Sequence, residues 1–443
     1  MSNLKTFTTS PLNISALSFY PRNYNPEYLY VKNTLQNCET LSSFLKEPVK
    51  GGSTPPAHFF YEDNGIPFIK TSAILRHFIN ANDLYYINEK YHKTSLKRSI
   101  TNPYDVIFSM TGKFMGKATL CPKTIPELNM SQNSVLLRTD SPLKSAFLAI
   151  YLNSEINQIQ IKGLYSITKQ KFLNQGKISN LKICPYKKEY EPTLQEYLDG
   201  FDEYYEAVKE IQAIILEFNK DNGLDWVQNN VYSCTVSPIQ FDAKILTPNA
   251  YRQDTNTIIS KLTNGRFKRL ETSNLRRGDE IGSENYLESG VPFIKTSDIC
   301  NFDIDKTPNY YCSASFHQDI KKGDIIFTKD GKPGEIAIIN EDATAVLSSG
   351  LVIYHPQNEQ ERYWLFLLLA SNYGMAYFKK WFVIASTMNH LRKDFFEDFK
   401  IPECTDEINQ KYVSRLKATF EKKNIGFEKM QESIKSITSK LIL

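Results

Sequence analysis

The chain says one thing twice. NGIPFIKTSAI, from Asn64 to Ile74, returns as SGVPFIKTSDI from Ser289 to Ile299. A polar turn ending in Gly, then Pro, an apolar pair and Lys-Thr-Ser, predicts a strand entered through a turn and leaving toward solvent. The segments downstream of the two copies repeat as well, in the same order. YDVIFSMTGKFMGKATL (Tyr104 to Leu120) matches GDIIFTKDGKPGEIAII (Gly323 to Ile339), each an apolar strand, a loop with two glycines and a second strand. SVLLR (Ser134 to Arg138) matches GLVIY (Gly350 to Tyr354). A Ser-rich basic segment then closes each half, SITKQKFLNQGKISNLKICPY from Ser166 and STMNHLRKDFFEDFKIPEC from Ser386. The chain is therefore two copies of one domain.

Its 443 residues suit two domains plus connections, and 41% hydrophobic residues with 13% aromatics exclude a disordered chain. The first residues lack the apolar core of a signal peptide, and the longest apolar run, WLFLLLA from Trp364, is too short to span a bilayer, so a cytoplasmic location is expected. The seven cysteines stand singly, without a C-x-x-C pair, and are expected to be reduced and buried.

Between the copies the periodicity changes. Leu194, Phe201, Val208 and Ile215 recur every seven residues, with Tyr197, Tyr204, Ile211 and Phe218 interleaved, which predicts a long helix with an a/d seam opening at Pro192 and closing before Gly223. A second seam closes the chain: Val413, Phe420, Phe427, Ile434 and Leu441, with Leu416, Met430 and Ile437. Asn409 and Lys423 are polar members of its second position, and Gly426 is expected to loosen its middle. Before the copies' main strands, LSSFL at Leu41 and RFKRL at Arg266 are both expected to be strands.

Charge has the same segmentation. Residues 1–190 hold 23 basic against 12 acidic side chains, whereas 191–225 hold 2 against 10. Residues 226–403 hold 20 against 22, and 404–443 hold 8 against 5. An acidic and a mildly basic heptad helix can pair with each other, antiparallel within one chain; packing of each helix on its own domain, or dimerisation, is the alternative.

The basic side chains cluster in the repeated motifs. Lys113 and Lys117 flank Gly112 and Gly116, as Lys329 and Lys332 flank Gly331 and Gly334; glycines let a backbone approach a phosphate that lysines neutralise. Lys70, Thr71, Ser72 and Lys295, Thr296, Ser297 put one charge and two hydroxyls at a strand end, suited to phosphate or base-edge contact. In the closing segments Thr168, Lys169, Gln170, Lys171 and Asn389, His390, Arg392, Lys393 offer groups of the kind that read base edges. The bland readings are a hairpin turn, a strand end and a solvated helix face respectively. Signs of catalysis are sparse: TNPYD at Thr101 to Asp105 only approaches an adenine-methyltransferase tetrapeptide, GKPGE is too short for a phosphate-binding loop, and the six histidines lack the spacing of a zinc site or a triad.

The order of domain, heptad helix, domain, heptad helix, with G-x-P-F-I-K-T-S, the GDIIFTKDGKPGE-like segment and closing LKICP or FKIPE in each half, resembles the specificity subunit of type I restriction-modification enzymes. The resemblance implies a mixed α/β (α+β) chain: target recognition domains at 1–190 and 226–403, with spacer helices at 191–225 and 404–443 forming an antiparallel coiled coil. It implies double-stranded DNA as ligand, two methyltransferase subunits and restriction motor subunits as partners, and no membrane. No catalysis or cofactor is expected in this chain, S-adenosylmethionine belonging to the methyltransferase. The same architecture could serve a type IIB-like enzyme with a fused nuclease-methyltransferase partner. The first copy departs from the pattern at Ala73, where the second has Asp298, and at Tyr104, where Gly is more typical.

Overall fold

The computed structural model describes residues 24–59, 65–167, 171–226, 251–287, 289–305, 307–316, 318–332, 334–384 and 389–441. The chain divides into two compact units, residues 1–206 with 423–443, and residues 207–422.

In the first unit β1 (Lys50–Gly51) begins the domain and β2 (Ile66–Ile69) carries the Pro-Phe-Ile motif. β3 (Val106–Ser109), β4 (Ala118–Leu120) and β5 (Ser134–Leu137) complete an antiparallel sheet in the order β1-β5-β3-β4, with Ile107 opposite Leu136 and Thr119. β2 lies outside that sheet and pairs in parallel with Asn129–Met130. Every residue of β3, β4 and β5 is buried, because helix α1 (Pro142–Asn153) packs against β4. The first turn of α1 is fixed by Ser141, whose side chain accepts the Lys144 N–H at 3.2 Å, and by Pro142 at the position where no N–H is needed. A hairpin of β6 (Ser166–Ile167) and β7 (Lys171–Phe172) comes next. LSSFL is not a strand. Thr40 and Ser43 exchange backbone and side-chain hydrogen bonds as a capping box, and that local pairing makes Leu41–Phe44 one turn of helix.

Helix α2 (Glu191–Asp221) leaves this domain. It is held by the segment after the Lys-Thr-Ser turn: the Tyr205 hydroxyl donates to the Ile79 carbonyl at 2.8 Å and accepts the Ile79 N–H at 2.6 Å. His77, in the left-handed region at φ 69°, places Nδ1 3.3 Å from the Tyr197 hydroxyl, and burial, with Arg76 beside it, pushes its pKa down to about 3.

The second unit repeats the plan with β8 (Leu275–Arg277), β9 (Val291–Ile294), β10 (Ile325–Thr328), β11 (Ile336–Ile338) and β12 (Leu351–Tyr354). The sheet order is β8-β12-β10-β11, with Ile326 opposite Ile353 and Ala337, the same path through the same antiparallel partners as in the first unit. β9 again stands apart and pairs in parallel with Ala343–Leu347. Helix α3 (Glu359–Ala370) contains the run WLFLLL, which is wholly buried, and it packs on β11. The closing hairpin is β13 (Phe382–Ile384) with β14 (Asn389–Leu391). RFKRL does form a strand, Phe267–Arg269, paired with Lys400–Pro402 of the closing FKIPE.

The chain ends in α4 (Ser414–Lys440), entered through a π-helical turn at Asn409–Val413. In each unit the segments of α2 and α4 pack antiparallel. In the second unit Asp221 accepts from Lys411 at 2.7 Å and from the Tyr412 hydroxyl at 2.6 Å, and Arg415 bridges Glu217 at 2.8 Å and Glu210 at 3.0 Å. In the first unit Lys429 pairs with Glu203 at 2.7 Å, and Phe427 lies 6.5 Å from the Tyr204 ring. All eight seam residues of α2 are buried. In α4 the inner row is Leu416, Lys423, Met430 and Ile437, all buried, while Phe427 and Ile434 are half-exposed. Gly426 does not loosen the helix: it is the point of closest backbone approach to Gly200. Of the described cysteines four are buried, whereas Cys38 and Cys404 are half-exposed; Cys234 lies outside the described residues.

Candidate nucleic-acid interface

In each unit the loop between the two central hairpin strands is built by one hydroxyl. Ser109 ends β3, and its N–H donates to the Lys117 carbonyl at 3.0 Å while its Oγ accepts the Lys117 N–H at 3.1 Å. Thr328 ends β10 and does the same with Glu335, at 3.0 and 3.3 Å. Each hydroxyl also reaches across its loop, Ser109 to the Phe114 carbonyl and Thr328 to the Lys332 carbonyl. Both glycines of each loop have positive φ: 66° and 89° at Gly112 and Gly116, 79° and 86° at Gly331 and Gly334. At Gly112 nothing would obstruct a Cβ, so its need for glycine is conformational alone.

Hydrogen-bond register places the lysines in two different settings. Lys113 and Lys332 each come directly after the first loop glycine and are exposed. Lys113 stands 4.9 Å from the Phe114 ring, and Lys332 pairs with Glu335 at 2.6 Å. Lys117, expected to flank the loop at a phosphate, occupies instead the position of Glu335 and is only 4% exposed. Its ammonium lies 5.7 Å from the Phe114 ring, and it is not part of the open loop surface. Lys329 is largely covered, with Nζ 3.5 Å from Asp330 Oδ2.

The closing segment meets this loop in both units, as a hairpin and not a helix face. Leu173 N–H donates to the Met110 carbonyl at 3.0 Å, and Leu391 N–H donates to the Lys329 carbonyl at 2.9 Å. One residue on, Thr111 stands opposite Phe172 and Asp330 stands opposite His390. Lys171 is exposed, with Nζ 5.4 Å from the Tyr165 ring. Arg392 is half-exposed and pairs with Asp394 at 2.9 Å, and Lys393 is exposed. Asn389 opens β14 opposite Ile384. Thr168, Lys169 and Gln170 lie outside the described residues.

The Lys-Thr-Ser motif turns into a single 3₁₀ turn in both copies, Thr71–Ala73 and Thr296–Asp298. Its lysine leans on aromatic rings: Lys70 Nζ is 3.5 Å from the centre of Tyr85, and Lys295 Nζ is 4.2 Å from Tyr286 and 4.1 Å from Tyr310. Ser72 donates to Asp83 at 3.1 Å, and Ser297 is exposed. Asp298 is a buried brace, its carboxylate accepting the Lys295 N–H at 2.8 Å; Ala73 leaves the first turn without that bond. In the second unit this turn and the glycine loop converge, since a Cβ on Gly350 would meet Thr296 Cγ2 at 2.9 Å and Asp330 Cβ at 3.4 Å.

Sequence reading missed Phe172 and Asp330. The signal for Asp330 was its place immediately before the loop glycine, and for Phe172 its place directly after Lys171 in a basic stretch.

The model for the type I restriction modification DNA specificity domain matches residues 268–436. No curated protein matches the chain by sequence. Among solved structures it is similar to the type I restriction-modification S subunit from M. genitalium, with 14% identity and TM-score 0.33, covering 92% of this chain and 97% of that one. The HsdS subunit from Thermoanaerobacter tengcongensis is 16% identical with TM-score 0.28, covering 91% and 93%. A structure described as bearing on complex assembly and conformational transition of the type I R-M system is 17% identical with TM-score 0.27, covering 91% and 95%. The type I restriction modification DNA specificity domain is thus matched in the second half of the chain, and the first half repeats the same ordered motifs.

Proposed function

We propose that the chain reads a split DNA target, one half through each repeated domain, and presents it to methyltransferase subunits that carry the chemistry. The observation that carries this reading is the recurrence of one surface in both units: a hydroxyl-closed glycine loop with an exposed lysine, met by a basic hairpin. Exposed lysines that directly follow a positive-φ glycine with room beside it, Gly112 and Gly331, fit phosphate contact, and the adjoining hairpin side chains fit base edges. The excess of basic side chains in residues 1–190 favours a polyanion over a protein partner there. Two methyltransferase subunits, holding S-adenosylmethionine, would flip and methylate an adenine, and motor-nuclease subunits would add cleavage of unmodified DNA. Among the described residues no helix is long and apolar enough to cross a membrane, and the reading places the complex with the DNA in the cytoplasm.

The test is duplex binding by the chain alone and with a type I methyltransferase subunit that it assembles with. Weak, salt-sensitive binding that tightens with the partner and becomes selective for one duplex supports the reading. Equal affinity for all duplexes in the full complex contradicts it.

A further inference from the structure

Phe172 and His390 occupy the same place in the two units. Each lies in the closing hairpin, directly across from the residue that precedes the first positive-φ glycine of the loop: Thr111 before Gly112, Asp330 before Gly331. The backbone of the place is the same in both copies, yet the side chains have opposite chemistry.

His390 is oriented. Its Nδ1 lies 2.8 Å from Asp330 Oδ1, and a carboxylate can only accept, so in the neutral ring the proton sits on Nδ1 and Nε2 keeps its lone pair. The side chain is 51% exposed, and among the described residues Nε2 has no partner. Asp330 is itself buried and flanked by Lys329 at 3.5 Å, so the orienting group is fixed. Phe172 has no such brace, since Thr111 brings no carboxylate. It is 39% exposed beside the exposed Lys171, so its ring is open to a ligand on that surface.

Resting on the reading of this surface as a DNA interface, we propose that Phe172 and His390 are specificity-determining residues that meet base edges, one in each half-site. Phe172 presents an apolar face suited to the thymine methyl, and His390 an acceptor nitrogen suited to the exocyclic amine of adenine or cytosine. Equivalent places with unlike side chains would make the two half-sites differ at the corresponding base pair.

The experiment uses the full chain with its methyltransferase and reads the methylated motif by sequencing modified bases across a genome. Phe172→His and His390→Phe exchange the two chemistries at exposed positions. His390→Phe is expected to relax selection at one amine-bearing position of one half-site by roughly tenfold or more, and Phe172→His to change one position of the other half. The sequence of the bases at those positions separates an adenine from a cytosine contact. Where a variant methylates too little for sequencing, the same selectivity is measured by competition binding of the complex to duplexes substituted at each position. Unchanged selectivity at every position in both variants overturns the proposal while leaving the DNA-reading function standing. A wild-type complex that shows no two-part motif overturns both.

Discussion

The backbones of Gly200 and Gly426 touch. A Cβ on Gly200 would stand 2.7 Å from the Gly426 carbonyl oxygen, and one on Gly426 would stand 2.6 Å from the Gly200 carbonyl oxygen. Two helices can approach this closely only where neither has a side chain. Alanine at either position gains about 1 kcal/mol of helix propensity, but it must push apart backbone atoms that no rotamer change can move. The clash wins: Gly200→Ala and Gly426→Ala are each expected to destabilise the protein by about 1–3 kcal/mol, lowering the melting temperature. A melting temperature raised by either change would show that the helices separate without cost.

Glu361 supplies a pH test. Burial alone would raise its pKa, but the Lys268 ammonium at 2.8 Å, the Gln357 N–H at 2.7 Å and the Tyr354 hydroxyl at 3.2 Å outweigh that and hold it below the usual carboxylate range. A depressed folded pKa means stability that is fully present above the unfolded pKa and lost as pH falls through the folded one. Denaturant titrations from pH 6 to about pH 3 should therefore show the wild type losing more stability than Glu361→Gln. Parallel curves for the two proteins would contradict the assignment.

The glycine-loop lysines make a salt test. Each phosphate neutralised lowers log K by about 0.9 per log unit of salt, so Lys113→Ala and Lys332→Ala should each reduce the slope by about 1 while weakening binding to all duplexes alike. Lys117→Ala, at a buried site, should leave the slope unchanged. If Lys117 and Lys113 altered it equally, the register separating them would be wrong.

How much of this was legible in the sequence depends on how far each signal reaches. The repeat and the seams were, because period and order are properties of the chain: Leu194, Phe201 and Val208 are buried as their spacing requires. The lysines were legible as a group but not one by one. Lys113 and Lys117 look alike beside their glycines, and only the Ser109 register, in a loop one residue longer than its copy, gives Lys117 the place that Glu335 holds in the second unit. Gly426 resembles a helix weakness unless the residue across from it is known to be Gly200. LSSFL reads as a strand by composition, but Thr40 and Ser43 settle it locally by their own hydrogen bonds. His390 becomes a directed group only through Asp330, 60 residues away.

If each repeated domain reads one half of the DNA target, the halves must be exchangeable one at a time. The most direct measurement is the methylated motif of the complex after residues 226–403 are replaced by the second domain of a type I specificity subunit. One half of the motif should change and the other persist base for base. A change in both halves, or in neither, would contradict the two-reader account.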